Sequence, residues 1–316
     1  MKILANDGIS QSGIDDLTVA GFEVLTTTVA QEQLINFINS ESIVGLLVRS
    51  ATTVRQDLID ACPGLKIIGR GGVGMDNIDV NYAREKGLSV INTPAASSES
   101  VAELVFAHLF SGVRFLYDSN RSMPLEGDKK FKNLKKAYAK GTELRGKTLG
   151  VIGFGRIGQA TAKMALGLGM KVIAFDPFME KTTVSLSFFD GQTVDFEIKT
   201  VSKETVLKES DFITLHVPAQ KDFVIGEAEL EMMKDGAALI NAARGGVVNE
   251  VALVAALDAN KLSFAGLDTF ENEPTPAVQI LMNSKISLTP HIGAATNQAQ
   301  DRIGSELASQ IISILK

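Results

Sequence analysis

Short apolar runs alternate with amphipathic stretches along almost the whole chain, and this alternation is its strongest constraint. KILAND, VGLLVR, LKIIGR and LSVINT each end in a polar or glycine turn and predict strands. Between them, SGIDDLTVAGF, QEQLINFINS, RQDLIDAC and VNYAREKG predict helices. The rhythm restarts after residue 146. TLGVIG, MKVIAFD, DFITLHVP, AALINAA, SFAGLD and KISLTP then read as strands, and RIGQATAKMALGLG, ETVLKES, GEAELEMMKDG and NEVALVAALDANK as helices. Strands that alternate with helices build parallel sheets covered on both faces. At 316 residues, and with about 150 residues to a domain, two α/β domains are expected.

Three segments depart from the rhythm. SVAELVFAHLFSGVRFLYDSN (100–120) predicts one long helix, apolar around most of its cylinder and long enough to bridge two domains. Residues 122–141 carry six lysines (129, 130, 132, 135, 136 and 140) and read as a solvated face. Residues 182–200 alternate like strands about Asp190-Gly191 and predict a hairpin inserted in the second domain.

Charge and cysteine usage narrow the function classes. A net charge of −6 argues against a nucleic-acid or anionic-membrane partner. The single cysteine, Cys62, forbids an intrachain disulfide and fits a reducing compartment; a buried thiol is its expected state. The N-terminal MKILANDGIS does not read as a signal peptide, and no run approaches the ~18 apolar residues of a membrane span. A soluble, cytoplasmic protein is expected. No cluster has metal-ligand spacing.

The pattern G-x-G-x-x-G occurs twice, at Gly69, Gly71 and Gly74 and at Gly153, Gly155 and Gly158. The second follows a strand, leads directly into a helix, and is followed 23 residues after Gly153 by an acidic strand end, Asp176. This is the dinucleotide fingerprint. Gly153 makes the tight turn, Gly155 lets the backbone approach the pyrophosphate, and Gly158 brings helix and strand together. Asp176 would accept from the ribose hydroxyls and repel a 2′-phosphate, and Pro177 offers no compensating cation, so NAD is expected over NADP. The first loop lacks an acidic strand end, since LSVINT closes on Asn92 and Thr93. It is expected to bring backbone amides near a different ligand group.

Three ionisable residues stand at strand ends in the last hundred: Arg244 in INAARGG, Glu273 in DTFENEP and His291 in LTPHIGAAT. Hydride transfer from an alcohol needs a base for the hydroxyl proton, an anchor for the substrate and a group to tune the base. His291, Arg244 and Glu273 suit those tasks in that order. A surface salt bridge beside a capping histidine is the competing reading. His108, inside the apolar helix, reads as packing; His216 either borders the cofactor or is structural.

The strings VRSATTV, GRGGVGMDNID, NTP, ELRGKTLGVIGFGRIG, DFITLHVP, INAARGGVVNE, AGLDTFENEP and TPHIGAAT together resemble the D-2-hydroxyacid dehydrogenase family over almost the whole chain. The resemblance implies two doubly wound parallel-sheet domains. A Rossmann-type NAD domain (99–289) is inserted into a discontinuous flavodoxin-like substrate domain (1–98 and 290–316), and closure of the two excludes water. It places the catalytic set on Arg244, Glu273 and His291. Cofactor contacts fall on Arg156, Ile157, Asp176, Val217, Pro218, Ala242, Asp268, His291, Gly293 and Ala294, with Asp268 on the nicotinamide carboxamide. Arg49, Ser50, Gly72, Val73 and Gly74 fall around the carboxylate or phosphate end of the substrate.

Within the family the pattern is most like the members that oxidise D-3-phosphoglycerate to 3-phosphohydroxypyruvate, the first step of serine biosynthesis. The alternatives are reduction of glyoxylate, hydroxypyruvate or another D-2-keto acid and, from another class, an NAD-sensing interaction protein. The resemblance also implies a homodimer through the NAD domain, with Lys135 or Lys136 reaching the partner's active site. Departures are Ala95-Ala96-Ser97-Ser98 where an Asn-Gly-Asn turn is frequent, Val217 for a frequent threonine, and longer 122–141 and 182–200 segments. The short stretch after His291 leaves no room for a C-terminal regulatory domain, so no serine feedback through one is expected.

Overall fold

Strands and helices alternate from the first residues of the computed structural model, which describes residues 1–316. The chain runs β1 (Lys2–Ala5), α1 (Gln11–Val19), β2 (Glu23–Leu25), α2 (Gln31–Ser40), β3 (Ile43–Val48), α3 (Gln56–Ala61), β4 (Ile67–Arg70), α4 (Val80–Glu85) and β5 (Ser89–Asn92). Helices α5 (Ser98–Val113) and α6 (Leu116–Ala137) follow. Then come β6 (Thr148–Ile152), α7 (Arg156–Gly167), β7 (Lys171–Phe175), β8 (Lys181–Ser187), β9 (Thr193–Lys199), α8 (Lys203–Glu209) and β10 (Phe212–Leu215). The chain closes with α9 (Glu227–Met232), β11 (Ala237–Asn241), α10 (Glu250–Asp258), β12 (Leu262–Leu267), α11 (Val278–Leu281), β13 (Ile286–Leu288) and α12 (Asn297–Leu315). Two units result, one of Met1–Ser100 with Ala294–Lys316, the other of Val101–Gly293. His291 and Gly293 thus belong to the second unit and Ala294 to the first.

The first unit holds a five-stranded sheet in the order β2-β1-β3-β4-β5, parallel throughout. That is the flavodoxin-like doubly wound order. Strand β2 is not among the predicted strands: it has three residues, and its Glu23 is exposed, so no apolar run marks it. Helix α12 brings the end of the chain back onto this sheet, where Ile303, Leu307, Ala308 and Ile311 are buried with Leu17, Ile67 and Ile91. Helices α1 and α12 approach closely. A Cβ added at Gly13 would stand 2.8 Å from Gly304 Cα.

The second unit holds a six-stranded parallel sheet in the order β13-β12-β11-β10-β6-β7. Beyond β7 a single residue, Thr200, bridges Ala174 in parallel. This one-residue bridge stands at the third-strand position of the Rossmann order, directly after the β8–β9 hairpin, which turns at Asp190-Gly191 as predicted. The predicted helix over 100–120 is instead two. Phe115 takes a left-handed φ of 55° and ends the continuity. Helix α5 is buried along Val101, Val105, Phe106, Leu109 and Val113, seated by Gly112 against the Phe264 ring. Helix α6 buries no residue, and its lysines are solvated. No helix is long and apolar enough to cross a membrane.

Replacing Gly13 with alanine drives a methyl group into the backbone of Gly304. A loss of about 1–3 kcal/mol in urea unfolding is expected. Gly64→Ala, at a site with nothing within 4 Å of the added Cβ, is the control and should leave the midpoint unchanged.

Candidate functional site

Open α/β sheets carry their ligand sites at the carboxyl ends of the strands. In the second unit that edge begins with the glycine loop between β6 and α7. Gly153 has φ 90°, and a Cβ there would lie 2.4 Å from His216 O; one at Gly158 would lie 2.2 Å from Gly153 O. Both glycines are therefore demanded by the protein's own packing. Gly155 is different: nothing lies within 4 Å of its Cβ position, and no side chain caps the helix it opens. That open backbone, ahead of the 12-residue helix α7, is where a pyrophosphate fits. At the end of β7, Asp176 Oδ2 accepts from Phe154 N (2.8 Å) and Oδ1 from Phe178 N (2.9 Å). The carboxylate is half-buried and keeps lone pairs for ribose hydroxyls. Arg156 and Ile157 form the first turn of α7. These residues fit the adenosine-pyrophosphate half of a dinucleotide.

His216 follows β10 beneath this loop. Its Nε2 lies 3.2 Å from Thr161 Oγ1 and 3.1 Å from Thr214 Oγ1, and Thr161 in turn donates to Ile157 O (2.9 Å). The imidazole thus ties the first turns of α7 to β10, just before Val217 and Pro218. Burial lowers its pKa to about 3, so it stays neutral.

The ends of β11, β12 and β13 carry Arg244, Glu273 and His291. After β11, buried Asn241 accepts from Ala243 N (3.1 Å) and donates to Arg244 O (2.9 Å), which shapes the arginine turn and leaves Ala242 buried within it. Arg244 Nη1 donates to Ala243 O (2.7 Å). A Cβ at the next residue, Gly245, would lie 1.8 Å from Phe270 O. Only glycine lets the arginine turn press against the loop that holds Glu273. Those loops are also crossed by a reciprocal pair, in which Glu271 Oε1 accepts from Glu250 N (2.7 Å) and Glu250 Oε1 from Glu271 N (2.8 Å). Burial, with Glu271 and Glu273 nearby, holds the Glu250 carboxyl above the usual range.

Glu273 Oε1 accepts from Phe270 N (3.0 Å), and Oε2 lies 2.8 Å from His291 Nδ1. Nδ1 therefore carries the proton toward the carboxylate, and Nε2 is the ring's free acceptor. Both side chains remain partly open to solvent, at 45% for His291 and 36% for Glu273. His291 has φ 53°, a left-handed turn held by Asp268. That carboxylate, 1% exposed, accepts from Thr289 Oγ1 (2.6 Å) and Ile292 N (2.8 Å) on Oδ1 and from Gly293 N (2.8 Å) on Oδ2. The Asp268 expected to hold a nicotinamide carboxamide is thus already engaged by three donors, with one acceptor position left on Oδ2. A cavity of about 430 Å³ adjoins the histidine, walled by Phe270, Pro274, Pro276, Leu281, Leu288 and Pro290.

In the first unit Arg49 and Ser50 follow β3. Asp7 Oδ2 accepts from Arg49 N (2.6 Å) and Thr52 N (3.0 Å), while Asn77 Nδ2 donates to Arg49 O (2.8 Å) and Thr52 O (2.6 Å). Loop 49–52 is clamped from both sides. Gly72 has φ 143°, and the Arg70 guanidinium lies where a Cβ would stand (1.5 Å from Nη1), donating to Gly71 O (3.0 Å). Val73 O accepts from Asn92 Nδ2 (2.7 Å), which steadies the turn before Gly74. Ala294 O accepts from Gln300 Nε2 (2.7 Å). Asp7, Arg70 and Asn77 are absent from the sequence reading. Arg70, a cation at a strand end ahead of a glycine loop, is the one with a visible signal. No group of three His, Cys, Asp or Glu side chains converges as a metal site.

Residues 106–293 match the family model described as D-isomer specific 2-hydroxyacid dehydrogenase, NAD binding domain. A D-3-phosphoglycerate dehydrogenase of Archaeoglobus fulgidus is 40% identical over 100% of this chain, which spans 58% of that relative's length. A hydroxypyruvate reductase of Thermotoga maritima is 43% identical over 93% of this chain and 91% of its own. Among solved structures, the TT0316 protein from Thermus thermophilus superposes with a TM-score of 0.83 at 30% identity, covering 100% of this chain and 97% of that one. The chain belongs to the D-isomer specific 2-hydroxyacid dehydrogenase family and carries its NAD binding domain.

The neutral His216 has a consequence for acid stability. Its folded pKa, about 3, lies below the ordinary 6.5. Below pH 6.5 the unfolded chain takes up a proton that the native state refuses, so this contribution shrinks as pH falls from 6.5 toward 3. His216→Gln should show a shallower fall in melting temperature between pH 6.5 and 4 than the parent. Parallel profiles would show that the ring does not set the slope.

Proposed function

We propose that this chain is an NAD-dependent D-2-hydroxyacid dehydrogenase whose substrate pair is D-3-phosphoglycerate and 3-phosphohydroxypyruvate, the first step of serine biosynthesis. The observation that carries the reading is the 2.8 Å contact between His291 Nδ1 and Glu273 Oε2, on loops pressed against the arginine turn by Gly245. NAD, when bound, supplies the hydride acceptor at its nicotinamide C4. His291 Nε2 takes the proton of the substrate hydroxyl, and Glu273 stabilises the imidazolium that results. Arg244 grips the α-carboxylate through a charge-assisted, two-pronged pair. Asp176 disfavours a 2′-phosphate and so selects NAD. In the first unit, Arg49, Ser50, Arg70 and the amides of Gly72, Val73 and Gly74 serve the substrate's anionic end.

The competing substrate is hydroxypyruvate or glyoxylate. Two observations favour it: the apolar cavity beside His291 and the reductase relative matched over 91% of its length. We further propose a cytoplasmic homodimer, because α6 buries nothing and exposes Leu116, Met123, Leu125 and Phe131, a surface that a second copy would cover. Lys135 or Lys136 on that helix would then assist the partner's phosphate site.

NADH consumption with paired 2-oxo acids, with and without a phosphate, tests the substrate. Preference for the phosphorylated acid is expected, and preference for an unphosphorylated one would transfer the assignment to the reductase. His291→Asn should lower kcat by roughly 10²–10⁴-fold, a loss far larger than any change in NADH affinity read by fluorescence. Unaltered turnover would remove His291 from the chemistry.

A further inference from the structure

We propose that His108, read from sequence as packing, is a positioning residue that holds the His291 turn through Thr289 and Asp268; the inference rests on His291 being the proton acceptor. His108 is 2% exposed on the buried side of α5. A Cβ at Gly266 of β12 would lie 2.7 Å from His108 Cβ, so the strand is pared back where the ring enters. Both ring nitrogens are engaged: Nδ1 lies 2.9 Å from Ser287 Oγ and Nε2 lies 3.0 Å from Thr289 Oγ1.

The direction of these bonds follows from counting protons. Thr289 has one hydroxyl proton and spends it on Asp268 Oδ1 at 2.6 Å. Thr289 Oγ1 must then accept, so His108 carries its proton on Nε2, and Nδ1 accepts from the Ser287 hydroxyl. Burial keeps this ring neutral by lowering its pKa, against the pull of Asp268, and a neutral ring is what the one-donor, one-acceptor arrangement requires. The chain Nε2–H to Oγ1–H to Oδ1 runs one way and ends on the carboxylate that also accepts from Ile292 N and Gly293 N. Those two amides immediately follow His291, whose left-handed φ of 53° has no glycine to relieve it. A leucine would fill the space of His108. It would leave Thr289 without its donor and Ser287 without its acceptor.

Three variants separate positioning from packing. His108→Gln offers an amide nitrogen near the Nε2 position, His108→Asn one near Nδ1 only, and His108→Leu neither. The readouts are amide hydrogen exchange at Ile292 and Gly293 in the full chain without ligand, with the amides of β11 and β12 as the reference, and kcat at saturating NADH. Leucine and asparagine should speed exchange at the two amides about tenfold, and lower kcat similarly, while the reference amides hold. Glutamine should restore both to within about threefold of the parent. If all three variants exchange like the parent, or if glutamine and asparagine act alike with the reference amides accelerated equally, His108 is packing and the proposal falls. If the parent turns over no 2-oxo acid yet the exchange pattern holds, the positioning of the turn stands and it is the catalytic reading that fails.

Discussion

The buried carboxylate of Asp268 is the constraint on which the edge carrying Glu273 and His291 depends. An ionised group 1% exposed is costly unless it is hydrogen-bonded. All three of its donors come from one short stretch, residues 289–293. Satisfying the charge therefore dictates the path of that stretch, including the left-handed backbone at His291. The result is an imidazole brought to Glu273 at 2.8 Å while both groups stay partly open to solvent. A second constraint, Gly245 against Phe270 O, sets the arginine turn against the glutamate loop. Arg244, Glu273 and His291 thus share one edge of one sheet.

Environment sorts the three histidines into different roles. His108 and His216 are enclosed, and burial lowers both pKa values, so each ring stays neutral; His108 donates from Nε2 and accepts at Nδ1, whereas His216 bonds through Nε2 alone. His291 alone joins a carboxylate at an open edge. The same side chain is a structural bracket where water is excluded and is suited to accept a proton where a partner and an opening coincide.

The architecture was readable because strands buried on both faces appear as unbroken apolar runs, as in LGVI and ALIN. Strand β2 escaped since three residues with an exposed glutamate make no run. The break at Phe115 escaped because the apolar pattern continues through GVRFLY and no glycine marks the left-handed residue. In the site, the glycine fingerprint, Asp176 and the three strand-end residues were legible, each announced by its position after an apolar strand. Asp7, Asn77 and the bonds of His108 were not. Their partners lie far away in sequence, as with Asn77 and the Arg49 carbonyl or His108 and Thr289, so nothing local records them. The family resemblance marks Asp268, but not its engagement with its own loop.

The central claim, that this edge carries hydride between NADH and the C2 carbon of a 2-oxo acid, is tested most directly by isotope transfer. NADH deuterated at C4 on one face and then the other should deliver deuterium from one face only, to C2 of a product of D configuration. Product free of deuterium from both forms, or labelled product of L configuration, would contradict the account.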